Sequence, residues 1–221
     1  MMFTTGARHW GTKSFECWTF LMALLSLVRP RAVVELGSGR STSYLTEYAM
    51  KTGVPFVSIE QNRFYMAEIR RGLRNSFLSE RYVHHVPLAA DGWYDAERLD
   101  RAVDFTCDFL FVDGPVGADE ALGRGRRNLE RAVAWLRAAA ATSRVVMVDD
   151  VHRRTNLELF HALSTAAPDR APLYLSYHVQ PAPNVLGVAV PSSAFEALTG
   201  VCATLAVGFA TDYSAAQCSE P

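Results

Sequence analysis

Apolar and polar positions alternate along this chain in blocks. Short apolar runs recur at 32–36, 55–60, 81–87, 107–112 and 144–148. Each is bounded by polar, Gly or Pro residues and is too short for a helix, so each reads as a buried strand. Between them lie longer stretches with apolar residues three or four apart. These predict helices over 13–28, 42–52, 64–77, 94–103, 119–141 and 156–163. Pro30 ends the first helix and Gly53 closes the second.

Strands and helices in strict alternation imply βαβ units and a parallel sheet. The last third breaks the rhythm. Two apolar runs, 173–179 and 185–190, are separated only by P-A-P-N at 181–184. That link is too short for a helical crossover, so these two strands should pair antiparallel. The expected architecture is an α/β, Rossmann-like, doubly wound and mostly parallel sheet of seven strands, closed by an antiparallel C-terminal hairpin. One domain is expected over 1–221, with a core over 12–190, the N-terminal helix as a lid and 208–221 as a tail.

Composition changes this picture little. The chain has 221 residues, 49% hydrophobic and 20% charged, which suits one α/β core. Its formal net charge of -1 gives nucleic-acid binding no electrostatic support. The four cysteines contain no C-x-x-C pair and suggest a reducing compartment, the cytoplasm. The apolar run 17–28 has Arg8 and Lys13 upstream, but it lacks a small-residue cleavage site and continues through Arg29 and Pro30 into a strand. It also falls short of the ~20 residues that cross a membrane.

Ligands of doubly wound sheets sit beyond the carboxyl ends of the strands. Here those ends carry Glu35 with G-S-G (37–39), Glu60, the loop after Pro87, Asp113, and Asp149 with Asp150. Gly37 and Gly39 permit a tight turn and close backbone approach, and the amides opening the next helix can donate to a carboxylate or phosphate. The third glycine of a dinucleotide fingerprint is replaced by Thr42. Glu60 follows Gly39 by 21 residues, where a carboxylate can accept both hydroxyls of a ribose. This pair does not separate a dinucleotide from S-adenosylmethionine, since both carry adenosine.

Asp113, Asp149 and Asp150 should converge near the point where strand order reverses. Converging carboxylates call for protons or a cation, and Mg²⁺ suits oxygen ligands; capping of the following helix is the plainer role for Asp149 or Asp150. Histidine is the side chain suited to proton transfer near neutral pH, so His152 is a candidate general base, or equally a substrate donor. Arg153 and Arg154 can bind an acidic substrate group or lie plainly on the surface. His84 and His85 alternate across a strand, so at most one faces the site, and neither has zinc-ligand spacing. No G-x-S-x-G elbow exists and Ser41 has no evident base, which argues against a hydrolase.

As a set, these motifs resemble the class I S-adenosylmethionine-dependent methyltransferases. E-L-G-S-G (35–39) is similar to that family's first motif, S-I-E-Q-N (58–62) to its acid-ended second strand, A-A-D-G-W-Y-D (89–95) to its adenine loop and F-V-D-G-P (111–115) to its fourth-strand motif. The resemblance covers about residues 12–190. Within the class, the acid clusters look like the metal-dependent O-methyltransferases of the catechol and caffeoyl-CoA type, and V-D-G-P with D-D-x-x-R is also similar to looser groups of secondary metabolism in which a metal need not follow.

The resemblance implies specific roles. Glu35, Gly37, Ser38, Gly39 and Ser41 would hold the methionine end of S-adenosylmethionine, Glu60 and Gln61 the ribose, and Ala89, Ala90 and Asp91 the adenine edge. Asp113 would serve cofactor and chemistry alike. Asp113, Asp149 and Asp150 fall on the family's divalent-metal positions. Two departures stand out: the family's Lys three residues after the first metal Asp is Val116 here, and the Asn of its pair is Asp150. His152 is then the substitute base. Trp10, Trp93 and Tyr94 are candidate aromatic walls, though such residues more often simply pack. The implied reaction is methyl transfer to an oxygen of a small molecule, with no nucleic-acid or membrane partner and with a homodimer left open. Cleavage or cyclisation of the aminocarboxypropyl chain, a nicotinamide dehydrogenase, and a silent cofactor-binding subunit are the rival readings.

Overall fold

The computed structural model describes residues 15–73, 80–90, 92–115, 126–179, 182–205 and 208–213. Helix α1 (Phe15–Val28) stops where Arg29 turns left-handed, φ 49, and returns its amide to Leu25 O at 2.9 Å. Pro30 follows and forbids a further helical turn. Strand β1 (Val33–Leu36) runs through the glycine turn into α2 (Arg40–Thr52), which Gly53 closes at φ 74. Strand β2 (Phe56–Glu60) leads to α3 (Arg63–Gly72). Asn62 starts that helix by accepting the amides of Phe64 and Tyr65 at 2.9 and 3.1 Å, as a good cap does. After β3 (Val83–His85), Asp95 caps α4 (Ala96–Ala102) by accepting the Arg98 amide at 3.0 Å. Then come β4 (Phe109–Val112), α5 (Arg126–Thr142), β5 (Val145–Val148) and α6 (Arg154–Ser164). The chain continues through β6 (Arg170–Val179), β7 (Ala182–Pro191), α7 (Ser192–Thr204) and β8 (Gly208–Ala210).

The strands form one sheet in the order β3-β2-β1-β4-β5-β7-β6-β8. The first five run parallel to one another, β7 runs antiparallel between β5 and β6, and β8 lies antiparallel along β6. Strand order reverses between β1 and β4, which opens a crevice at their carboxyl ends. Alternate residues of the short strands supply opposite cores. Val33, Phe109, Phe111, Val145 and Met147 pack with α1, α2 and α7. Val34, Leu36, Leu110, Val112, Val146 and Val148 pack with α4, α5 and α6. Both faces are covered, which is why these strands read as unbroken apolar runs.

Two arginines lock the frame. At the sheet end away from the crevice, Arg144 grips Asp108 with two hydrogen bonds of 2.9 and 2.7 Å and caps Val28 O and Arg29 O. Burial pushes the Asp108 pKa up most strongly, but the Arg144 hydrogen bonds, the Arg31 amide and the charges of the two arginines together hold the carboxyl below its ordinary value. Arg170 donates to Ala140 O, Ser143 O and Leu163 O, joining the C-terminal ends of α5 and α6.

Several sequence expectations change. The sheet has eight strands rather than seven, because Gly208–Ala210 pairs with Tyr174–Ser176 where a tail was expected. The hairpin strands extend to Val179 and Ala182, so 182–184 belong to β7 and not to the link. Helix α7 answers to no predicted element. Helix α1 is a layer of the core: Phe20, Leu21, Leu24 and Leu25 are fully buried. Residues 13–14 of the expected 13–28 helix are outside the described residues, as are 74–77 of the expected 64–77 helix and 119–125 of the expected 119–141 helix.

Candidate functional site

The crevice is built from the turns that follow β1, β2, β3 and β4. Gly37 adopts φ 91, open to glycine but costly for other residues. A Cβ on Gly37 would come within 2.6 Å of the Asp113 carbonyl, and one on Gly114 within 2.8 Å of Gly37 Cα. The turns after β1 and β4 thus touch backbone to backbone. Gly39 is extended, and a Cβ there would meet only Ser41 Oγ at 3.9 Å. Its side is open, so its role is not steric.

Thr42, standing where a dinucleotide loop has its third glycine, has a definite job. Its hydroxyl accepts the Gly39 amide at 2.8 Å and donates to Glu35 Oε2 at 2.6 Å. Ser58 donates to the same carboxylate oxygen and exchanges a 2.7 Å hydrogen bond with Ser38. Glu35, Ser38, Ser58 and Thr42 are all buried. Glu35 therefore lies beneath the loop and orders it from below. Apart from the Thr42 hydroxyl on the Gly39 amide, no side-chain cap holds the first turn of α2 among the described residues, and that turn has no acid. Ser41 Oγ at its start is buried with no hydrogen-bond partner among the described residues. A helix start of this kind with an orphaned hydroxyl suits a carboxylate.

Glu60, a buried residue at 3% exposure, ends β2. Burial pushes its pKa up to about 7, against the pull of amides from Asn62, Ser38 and Gln61. The Asn62 amide bonds its Oε1 at 2.7 Å. His85, across the β2–β3 register from Glu60, places Nε2 3.0 Å from Gln61 O. Burial lowers its pKa, which favours the neutral ring and donation of Nε2–H to that carbonyl. His84 turns instead to Arg81 O. Ala89 and Ala90 form a tight turn, with Ala89 N on Trp93 O at 2.7 Å and Gly92 N on Ala89 O at 2.9 Å. Asp91, Val116 and Trp10 are outside the described residues. Two tyrosines border the same space. Tyr65, on the first turn of α3, is pushed up to about 12 by burial and then by Glu60 and Asp113. Tyr94 is fully buried, with its pKa raised by burial, Glu60, Asp113 and Glu35.

On the far side, Asp113 ends β4 with its amide on Leu36 O at 2.8 Å. Asp149 is buried after β5, with its amide on Val112 O. Asp150 is left-handed, φ 55, and faces Arg153 Nη2 at 3.5 Å and His152 Nδ1 at 4.0 Å. Among the described residues no three His, Cys, Asp or Glu side chains gather closely enough to hold a metal ion. The expected set of Asp113, Asp149 and Asp150 is not assembled: Asp150 swings onto the turn's own Arg153. These residues do not fit a Mg²⁺ site, which needs its oxygen ligands on one centre.

A parallel sheet ordered 3-2-1-4-5 with a reversed strand beyond it, and a glycine loop facing an acid-ended second strand, is the class I methyltransferase fold. The comparisons agree on the fold. An O-methyltransferase from Bacillus cereus, solved in complex with SAH, superposes with a TM-score of 0.53 over 80% of this chain and 81% of its own, at 18% identity. A putative O-methyltransferase from Klebsiella pneumoniae gives 0.55 over 80% of each chain, at 16% identity. No family model matches the chain, and no curated protein matches it by sequence. Among the described residues, no helix is long and apolar enough to cross a membrane.

Sequence reasoning missed Thr42, Ser58, Tyr65 and the Tyr94 hydroxyl as parts of the crevice; of His84 and His85, expected to send at most one side chain there, His85 bonds Gln61 O and His84 bonds Arg81 O. Ser58 carried a signal: it is a lone hydroxyl inside the apolar run F-V-S-I-E. Tyr65 carried none, since the carboxylates of Asp113 and Glu35 that act on it lie far off in the sequence.

Proposed function

We propose that this protein is an S-adenosylmethionine-dependent methyltransferase acting on an oxygen of a small molecule. The observation that carries the reading is the pairing of a buried strand-end carboxylate, Glu60, with a glycine turn ordered from below by Glu35 and Thr42. Glu60 would accept the ribose hydroxyls, whose donation favours its charged form. The α2 amides and Ser41 would take the methionine carboxylate. When bound, the cofactor supplies an electrophilic methyl group on a sulfonium sulfur. The turn after β5 would hold the acceptor. His152 would take the hydroxyl proton as the oxygen attacks, and Asp150 and Arg153 would keep that turn in place. Alignment of acceptor and methyl group is the main contribution asked of the protein, and such positioning can supply several kcal/mol. The Gly39 amide is occupied by Thr42, which disfavours the pyrophosphate of a nicotinamide dinucleotide. Buried thiols at Cys17, Cys107 and Cys202 fit a cytoplasmic setting.

The test has two arms. Calorimetry with S-adenosylhomocysteine should give saturable binding, with NAD giving none. Labelled S-adenosylmethionine should then transfer its methyl to members of a panel of phenols and carboxylic acids, and His152→Asn should slow transfer by ~100-fold or more while still binding S-adenosylhomocysteine. NAD binding without S-adenosylhomocysteine binding would overturn the reading. Methylthioadenosine as the product would move the chemistry to the aminocarboxypropyl chain.

A further inference from the structure

The Tyr94 hydroxyl lies where several turns of the crevice meet. It stands 3.5 Å from Gln61 Oε1, in the turn after β2. A Cβ on Gly114, in the turn after β4, would come within 2.9 Å of it. The Gly37 backbone, in the turn after β1, lies against it as well. Tyr94 itself belongs to the turn after β3 and is built into that turn on both sides. Leu88 and Tyr94 form an antiparallel bridge, the Asp95 amide bonds Pro87 O at 2.9 Å, and the Trp93 ring meets the Tyr94 ring edge-on at 5.1 Å. The ring sits in the apolar core beneath the crevice with Leu36, Val86 and Leu99. Packing there would be served equally by phenylalanine, and a buried hydroxyl costs free energy unless it is used.

We propose that the Tyr94 hydroxyl fixes the spacing of the turns after β1, β2 and β4 against the adenine-side turn, which makes Tyr94 a positioning residue for the nucleoside. This rests on the cofactor reading above. The ring carries the turn at Ala89–Ala90, and the hydroxyl sets how deep that turn sits relative to Gly37 and to Gln61, next to the ribose carboxylate. Its role is to hold the two sides of the nucleoside seat at one separation, without touching the reacting atoms.

Tyr94→Phe in the full-length chain tests this by calorimetry with S-adenosylhomocysteine and with adenosine alone, beside a thermal melt. The expected result is a dissociation constant about tenfold weaker for both ligands, the size of one lost hydrogen bond, with stoichiometry unchanged and Tm within about 2 °C of wild type. Binding equal to wild type would overturn the proposal. So would a fall in stoichiometry together with Tm, because that is the mark of a merely structural side chain. Wild-type protein that takes up no S-adenosylhomocysteine would instead sink the methyltransferase reading, and this inference with it.

Discussion

At the scale of single residues, Thr42 decides most. Its hydroxyl is both acceptor and donor, and it links a loop amide to a fully buried carboxylate. Thr42→Val keeps the shape and removes both hydrogen bonds, leaving the Gly39 amide and Glu35 short of a partner. That leaves about 1–3 kcal/mol uncompensated. The expected outcome is a Tm several degrees lower and S-adenosylhomocysteine binding weakened ~10-fold or more by calorimetry. Thr42→Ser, which retains the hydroxyl, should recover most of both losses. In the sequence Thr42 was visible only as a missing glycine. Its partners Gly39 and Glu35 are only three and seven residues away, but no periodic pattern announces that a threonine on one helix faces a glutamate on the strand before it.

At the scale of elements, the turn between β1 and α2 is the most constrained piece. Gly37→Ala would set a Cβ against the backbone of Asp113 and Gly114 in a left-handed conformation. Either turn must shift to accept it. We expect ~2–4 kcal/mol of destabilisation in denaturant melts, from strain and overpacking together, and no measurable S-adenosylhomocysteine binding. The parallel part of the sheet was legible because its strands are buried on both faces and read as apolar runs. Helix α7 was not anticipated, although Phe195, Leu198, Cys202 and Leu205 fall at helical spacing. It follows a strand with no loop signal, since Pro191 ends β7 and also precedes the helix directly. Strand β8 has only three residues, and its pairing with β6 is a tertiary matter that periodicity cannot show. The carboxylates after β4 and β5 were read correctly as strand-end residues. Their side-chain directions were beyond the sequence, because Asp150 turns left-handed and pairs with Arg153 in its own turn.

At the scale of the whole molecule, Glu60 couples the crevice to pH. Its folded pKa lies near 7 against an ordinary 4.5. The raised value means that the folded protein keeps a proton which the unfolded chain has already released. Below about pH 4.5 both states hold the proton and Glu60 costs nothing. As pH rises from about 4.5 through 7, the folded state is progressively penalised, by ~1–3 kcal/mol once Glu60 is charged. Glu60→Gln should therefore raise the Tm of the ligand-free protein at pH 8, and that advantage should fade toward pH 4.5. The same variant should lose S-adenosylhomocysteine affinity by ~10–100-fold at pH 8. Wild-type affinity should weaken as pH falls below 7, because the ribose hydroxyls favour the charged carboxylate. Calorimetry at pH 5.5 and pH 8 reads both effects.

The meeting of Gly37 and Gly114 has a consequence for anyone who would redesign this protein. At that contact the crevice is bounded by main chain, so this stretch offers no side chain to trim, enlarge or recharge. Its shape is a fixed datum of the scaffold. New ligand preferences would have to be written on the rim, at Tyr65, at Ala89–Ala90 and in the turn of His152, where side chains still vary the wall without moving the ground beneath it.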